Sequence, residues 1–225
     1  MIVTPRTVVA GSPTRWRNVL CFLFATFLFA HISAPLFAAA KSAPAAPEVA
    51  VRTVFDELLD RLAQRPTSGP LSQDEIHDIF FNLLSPHIDY ETLARWILRE
   101  HWSVATDEQH QAFITAFQNY IINTYALALS ADQKIVLNVK DNPVVKKNLA
   151  VVAAELSIAE SDAVPLTFRL LQRGEFWKLF DVSFSGVSLA KTFRSDFSYV
   201  ARDGGIDAVT DFLIQRKEAN DDATR

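Results

Sequence analysis

The most informative segment of the chain is FWKLFDVSFSGVSL, residues 176–189. Apolar and aromatic residues dominate its first nine positions, which predicts a strand. Gly186 then predicts a turn, and an amphipathic helix begins near Leu189. The strand is expected to place four aromatic or aliphatic side chains on one face: Phe176, Phe180, Val182 and Phe184.

Three further strands are predicted before this segment, at residues 134–140, 149–159 and 164–173. The first alternates apolar and polar side chains, and the other two place a row of apolar side chains on one face, both of which are typical of a half-buried strand. The connections between the four strands are short, so we expect a four-stranded antiparallel sheet.

Helices are predicted on both sides of the sheet along the chain. Capping residues and apolar residues at helical spacing mark N-terminal helices at residues 48–63 and 72–84, from residue 89, and at 106–130. Two C-terminal helices follow the sheet, separated by Gly204 and Gly205. Helices, then a sheet, then helices indicate the α+β class.

Residues 1–40 have the parts of a cleavable secretory signal peptide. The residues before position 19 include three arginines and no acidic residue, and an apolar core follows at residues 19–30. Ala38 to Ala40 then provide the small residues that a cleavage site requires. An uncleaved membrane anchor is the alternative, because the apolar run is nearly long enough to span a bilayer. Cleavage would release the protein into an exported, oxidising compartment.

The remaining chain is expected to form a flexible spacer at residues 41–47, a single domain at 48–217 and a polar tail at 218–225. The net charge of −4 becomes more negative without the basic signal peptide. This charge argues against nucleic acid as a partner. The one cysteine, Cys21, lies within the signal peptide, so the mature chain has no disulfide and no cysteine nucleophile.

No complete catalytic or metal-binding motif occurs in the sequence. Gly186-Val-Ser188-Leu-Ala190 resembles a nucleophile elbow, but that motif needs a parallel sheet and a second glycine, so we expect Ser188 to cap the following helix. Asp181 interrupts an aromatic strand and is the most interesting candidate for a catalytic acid or base. Four histidines lack the spacing of metal ligands, and we expect no metal site: His77, His87, His101 and His110.

Two parts of the chain resemble the MlaC, or toluene-tolerance, family of periplasmic phospholipid-binding proteins. The first is DYETLARWILREHW at residues 89–102, followed by TDEQHQAFITAFQNYIINTY at 106–125. The second, stronger match is WKLFDVSFSGVSL at residues 177–189, followed by GGID at 204–207. One departure is Arg99, at a position where members of the family often carry glycine.

The resemblance implies a monomeric α+β domain that encloses an apolar cavity, with no catalytic residue, metal or cofactor. It implies a periplasmic carrier that shelters the acyl chains of a phospholipid or a related lipid. It also implies transfer between an outer-membrane lipoprotein complex and an inner-membrane ABC transporter complex, a pathway that maintains outer-membrane lipid asymmetry.

The cavity is expected between the sheet and the helices that cover it. Helix residues on one stripe and strand residues on one face would line it, and two tyrosines suit its rim because a phenol has an apolar ring and a wet hydroxyl. The expected lipid-binding residues are Leu93, Phe113, Phe117, Tyr120, Ile121, Tyr125, Val152, Leu156, Phe168, Leu170, Phe180, Val182, Val187 and Phe197.

Three alternatives to a phospholipid carrier stay open. The cargo could be a hopanoid or sterol-like lipid, since some relatives are associated with hopanoids. The protein could instead be an exported small-molecule enzyme that acts through Asp181 or Ser188 in an aromatic cone. It could also be an adaptor that binds only proteins.

Overall fold

The computed structural model describes residues 45–65, 71–125, 134–159 and 161–223. The predicted signal peptide and most of the predicted spacer lie outside these residues. The helices are α1 (Pro47–Ala63), α2 (Gln73–Asp78), α3 (Tyr90–Leu98), α4 (Glu100–Ser103), α5 (Asp107–Tyr125) and α6 (Leu189–Ala223). The strands are β1 (Ile135–Val139), β2 (Val144–Lys146), β3 (Leu149–Ile158), β4 (Val164–Arg173), β5 (Phe176–Phe184) and β6 (Val187–Ser188).

Capping hydrogen bonds confirm three of the predicted helix starts. Before α2, Ser72 Oγ accepts from the Glu75 N–H at 3.3 Å, and the Glu75 carboxylate accepts from the Ser72 N–H at 2.8 Å. Thr106 forms the same reciprocal pair before α5. Asp89 caps α3 by accepting from the Thr92 N–H at 3.0 Å. Each cap satisfies a backbone donor that the first helical turn leaves without a partner.

The connection between α2 and α3 runs beside the sheet. α2 continues into a π-helical turn, Ile79–Leu84, and a 3-10 turn, Ser85–His87. Ile88 then forms a parallel bridge with Leu179 of β5, and the Asp89 N–H donates to the Leu179 carbonyl at 2.7 Å. These bonds fix residues 84–88 at the edge of β5.

The sheet is antiparallel and has more strands than expected. Its order is β1-β3-β4-β5-β6, and β2 also pairs with β3. The four predicted strands correspond to β1, β3, β4 and β5, and the α+β class is confirmed. The predicted count of four is wrong, because β2 and β6 add strands of three and two residues. Strands this short show no alternation that a sequence could reveal.

A β-bulge in β5 changes which of its side chains share a face. Arg169 pairs with Asp181 and Leu170 pairs with Leu179, so Phe180 has no partner on β4. The alternation of side chains shifts by one residue at this point. The prediction that these four side chains share one face of the sheet is therefore wrong. Phe176 and Phe180 lie on one face, and Val182 and Phe184 lie on the other.

α6 consists of two helical segments joined at Gly205, as the two adjacent glycines predicted. Gly205 has φ 63° and ψ −145°, a conformation that costs little without a Cβ atom. The second segment continues to Ala223, so most residues of the predicted polar tail are helical.

The buried side chains form two main cores. Aromatic and aliphatic residues of α3, α5 and α6 make a helical core that contains Phe113, Phe117 and Phe197. A second, sheet core joins β1, β3, β4 and β5 and packs against Ala50 and Val51 of α1. Within the four described ranges, no helix is both long enough and apolar enough to cross a membrane.

Candidate functional site

An apolar cavity of about 190 Å³ lies between α1 and the sheet. α1 forms one wall, strands β1, β4 and β5 form the opposite wall, and residues 84–88 close one side. The lining residues are Ala50, Val51, Val54, Phe55, Leu58, Leu84, His87, Ile88, Leu137, Phe168, Leu170, Trp177 and Leu179. All of them except His87 are aliphatic or aromatic, so the cavity suits hydrocarbon and offers little to a polar ligand.

His87 is the titratable residue in this lining. Burial lowers the pKa of His87 below its ordinary value of 6.5; the charge of Glu57 raises the pKa, and that of Lys178 lowers it. The imidazole is therefore mainly neutral at pH 7. The lining consequently carries no full charge at neutral pH.

α1 covers the cavity with an apolar stripe that is only half-buried, except for Leu58, which is buried. Hydrogen bonds and ion pairs hold the helix near both of its ends. They join Ala45 to Trp177, Arg52 to Val139, Arg61 to Asp78 and Arg65 to Glu75. The middle of α1 is thus held over the sheet mainly by apolar contacts.

Most of the expected strand residues lie on the cavity side of the sheet. Phe168 and Leu170 line the cavity. Val152 pairs with Phe168, which pairs with Val182, so all three side chains point to the same face. Leu156 and Val187 lie further along this face, and Val187 is exposed. These four residues, Val152, Leu156, Val182 and Val187, do not border the cavity itself.

The expected helix residues lie elsewhere, in or against the helical core. Phe113 and Phe117 stack with ring centroids 5.5 Å apart, and Phe197 meets Phe117 edge-on at 6.1 Å. Leu93 is buried in the same core, and Tyr120 and Ile121 pack against it. Phe180 points to the opposite face of the sheet from the cavity and packs against Trp96. The side chain of Tyr125 lies outside the described part of the chain.

Sequence reasoning did not assign the α1 residues to the site, although their stripe was visible. Val51, Val54, Phe55 and Leu58 recur at helical spacing. Spacing identifies the apolar face of a helix but not whether that face meets a filled core or a void. Trp177 and Leu179 were also missed, because the bulge at Phe180 reverses the alternation of β5.

Asp181 and Ser188 are both engaged at the start of α6. Asp181 accepts from Ser188 Oγ at 2.7 Å, from Arg169 Nη1 at 2.8 Å and from the Ala190 N–H at 3.0 Å. Ser188 Oγ in turn accepts from the Lys191 N–H at 3.2 Å, which confirms its predicted capping role. Asp181 also lies on the face of the sheet away from the cavity.

Packing contacts account for two of the four histidines. His110 stacks on Trp102 with ring centroids 3.7 Å apart, and His77 stacks on Phe81 at 4.3 Å. In the region that the structure covers, no three side chains of His, Cys, Asp or Glu are arranged to hold a metal ion.

An antiparallel sheet and a covering helix with an apolar cavity between them define this molecule as an α+β domain. The fold is similar to that of a phospholipid-binding protein from Ralstonia solanacearum, solved in complex with a phospholipid. The TM-score is 0.69 at 23% identity, over 77% of this chain and 97% of that chain. The sequence model of the MlaC protein family matches residues 52–215, and the chain belongs to this family.

Proposed function

We propose that this protein is a carrier that binds a phospholipid and shelters an acyl chain in the cavity between α1 and the sheet. The observation that carries the proposal is the cavity itself, which is lined by apolar side chains except for His87 and is not filled by side chains. Membership of the MlaC family and a phospholipid-bound neighbour in the same fold support the same ligand class.

The apolar lining supplies the driving force for binding. Each methylene group moved from water into such a cavity contributes about 0.8 kcal/mol. An acyl chain of roughly ten buried methylenes would thus contribute about 8 kcal/mol. The acyl chain needs no hydrogen bond from the lining, because hydrocarbon has no polar group.

The cavity must widen to hold a complete acyl chain. Its volume of about 190 Å³ is smaller than the roughly 300–1,000 Å³ of typical small-molecule sites. α1 is the wall that can yield, since its middle is half-buried and its polar ties lie towards its ends. Outward movement of this segment would expose few unsatisfied polar groups.

The wider proposal is transport through the periplasm. The predicted signal peptide supports export, and the family supports shuttling of lipid between an outer-membrane lipoprotein complex and an inner-membrane ABC transporter complex. An extracted acyl chain exposed to water would lose the free energy given above, so a closed cavity is what such a carrier requires.

Two rival functions have less support. A hopanoid or sterol-like lipid has a rigid ring system, which would require a larger opening than a flexible chain. An enzyme that acts through Asp181 or Ser188 would need those groups free to react, whereas both form capping hydrogen bonds away from the cavity.

The test is the lipid content of the protein purified from a lipid-replete periplasm. Denaturing extraction and mass spectrometry should recover close to one phospholipid per protein. In the Val54→Asp variant, a carboxylate in the lining should abolish this yield, while Thr53→Asp, one residue away on the exposed side of α1, should retain it. Empty wild-type protein, or equal yields from the two folded variants, would contradict the proposal.

A further inference from the structure

A polar groove borders the apolar cavity at the edge of β5. Its volume is about 710 Å³, and its walls come from the start of α3 and from the ends of β4 and β5. The lining residues are Ile88, Asp89, Tyr90, Glu91, Thr92, Arg95, Arg173 and Lys178.

The cavity and the groove share a wall. Ile88 lines both of them and forms the bridge to Leu179 at the strand edge. On β5, Trp177 and Leu179 face the cavity, and Lys178 between them faces the groove. The cavity and the groove thus lie on opposite faces of β5 and meet at Ile88, beside the strand edge.

The charges of the groove leave one cation available. Arg173 donates to the Asp89 carboxylate at 2.7 Å and to Thr92 Oγ1 at 2.9 Å, and Arg95 pairs with Glu91. Among the described residues, Lys178 has no carboxylate within 4.0 Å. The two ion pairs cancel, so the groove carries one net positive charge in a protein whose total charge is negative.

We propose that this groove binds the phosphate of the cargo lipid's headgroup, with Lys178 as the principal cation. The inference rests on the proposed function, because it places the headgroup beside the cavity that would hold the acyl chain. A lysine ammonium is a compact donor that suits phosphate oxygens, and the half-buried position of Lys178 limits screening by water. Arg173 lies beside it and fixes the groove wall through Asp89.

Lys178 lies close enough to the apolar cavity for its charge to act on a residue of the cavity lining. The charge of Lys178 contributes to the lowered pKa of His87, which lines the apolar cavity. The ammonium thus acts on the rim of the acyl-chain site as well as in the groove. Glu57 opposes this effect on His87, and Asp89, Glu91, Arg95 and Arg173 are the other charged groups of the groove.

The experiment compares two probes that share one acyl chain, lysophosphatidate and monoacylglycerol. Their affinities are measured by displacement of a fluorescent fatty acid from the purified protein. We expect lysophosphatidate to bind about fivefold more tightly, the effect of one partly exposed ion pair. In Lys178→Gln the ratio of the two affinities should fall to about one, and in Lys191→Gln, on α6 and outside the groove, it should stay near five.

Each other outcome has a distinct meaning. A wild-type ratio of one, or a ratio that persists in Lys178→Gln, overturns the assignment of the groove. Failure of both probes to bind contradicts the proposed function and the headgroup site with it. Glycerol 3-phosphate distinguishes the source of the phosphate: if it binds as tightly as lysophosphatidate, the groove is a site for soluble phosphate esters and not for a lipid headgroup.

Discussion

The Ser188 hydroxyl donates to the buried Asp181 carboxylate at 2.7 Å, and this pair joins β5 to the start of α6. The Asp181 side chain has no exposed surface, and Arg169 supplies its counter-charge. A serine and an aspartate also form part of many catalytic sites, but here their partners include the backbone N–H groups of Ala190 and Lys191. The pair therefore stabilises a helix start.

Replacement of Asp181 should lower stability and leave lipid binding intact. Asp181→Asn keeps the shape but removes the charge that pairs with Arg169, and we expect a loss of about 2–3 kcal/mol in the free energy of unfolding. Ser188→Ala should cost about 1 kcal/mol, as loss of an N-cap does. Urea denaturation measures both losses. A variant of full stability that no longer binds lipid would instead favour a chemical role.

Arg99 is expected to be a strained residue. It lies between α3 and α4 with φ 51° and ψ −116°, a conformation suited to glycine. Arg99→Gly should relieve this strain but also increase the conformational freedom of the unfolded chain. We expect a net increase of about 1 kcal/mol in the free energy of unfolding. Arg99→Ala keeps a Cβ atom and should bring no gain. Equal effects of the two substitutions would show that the arginine side chain, and not the backbone, matters.

Stability should fall in acid partly through Glu75. The hydrogen bond from Arg65, together with those from Ser72, lowers the pKa of Glu75 from 4.5 to about 2. Its folded pKa is below its unfolded value, so the unfolded state binds more protons between these limits and the contribution is lost as the pH falls from about 4.5 to 2.

Comparison with Glu75→Gln isolates this contribution from other carboxylates. The difference in urea midpoint between wild type and Glu75→Gln should shrink steadily over that pH range, because glutamine does not titrate. A difference that is constant with pH would show that the carboxylate does not keep these partners in solution.

Filling the cavity should separate stability from binding. Ala50 lines the cavity, and Ala50→Phe should occupy the void, raise the free energy of unfolding by about 1 kcal/mol and reduce the lipid yield. Val49, its neighbour, is 44% exposed, and Val49→Phe should change neither property. The two variants are compared by thermal denaturation and by extraction of bound lipid. Retention of lipid by a stable Ala50→Phe protein would place the acyl chain elsewhere.

The sequence predicted most of the framework because the determinants of its elements are local. The Ser72 and Thr106 capping boxes, the Asp89 cap and the Gly204-Gly205 break each act within a few residues, and the structure has all of them. The short strands β2 and β6 were missed because segments of three and two residues show no alternation, although each pairs with a neighbouring strand across a two-residue turn.

The site could not be predicted from the sequence to the same extent, for two physical reasons. Phe113, Phe117 and Phe197 have the same apolar pattern whether they fill a core or line a void, and here they pack against one another in a core. The bulge at Phe180 depends on how β5 meets β4, and it turns Trp177 and Leu179 towards the cavity.

We expect the acyl chain to lie between α1 and the sheet, and photocrosslinking can show which residues surround it. A lysophospholipid with a diazirine at the end of its acyl chain is bound to the protein, irradiated and mapped by peptide mass spectrometry. We predict adducts on α1, β4 and β5, among residues such as Val54, Phe168 and Leu170. Adducts confined to α5 and α6, near Phe117 and Phe197, would contradict the account.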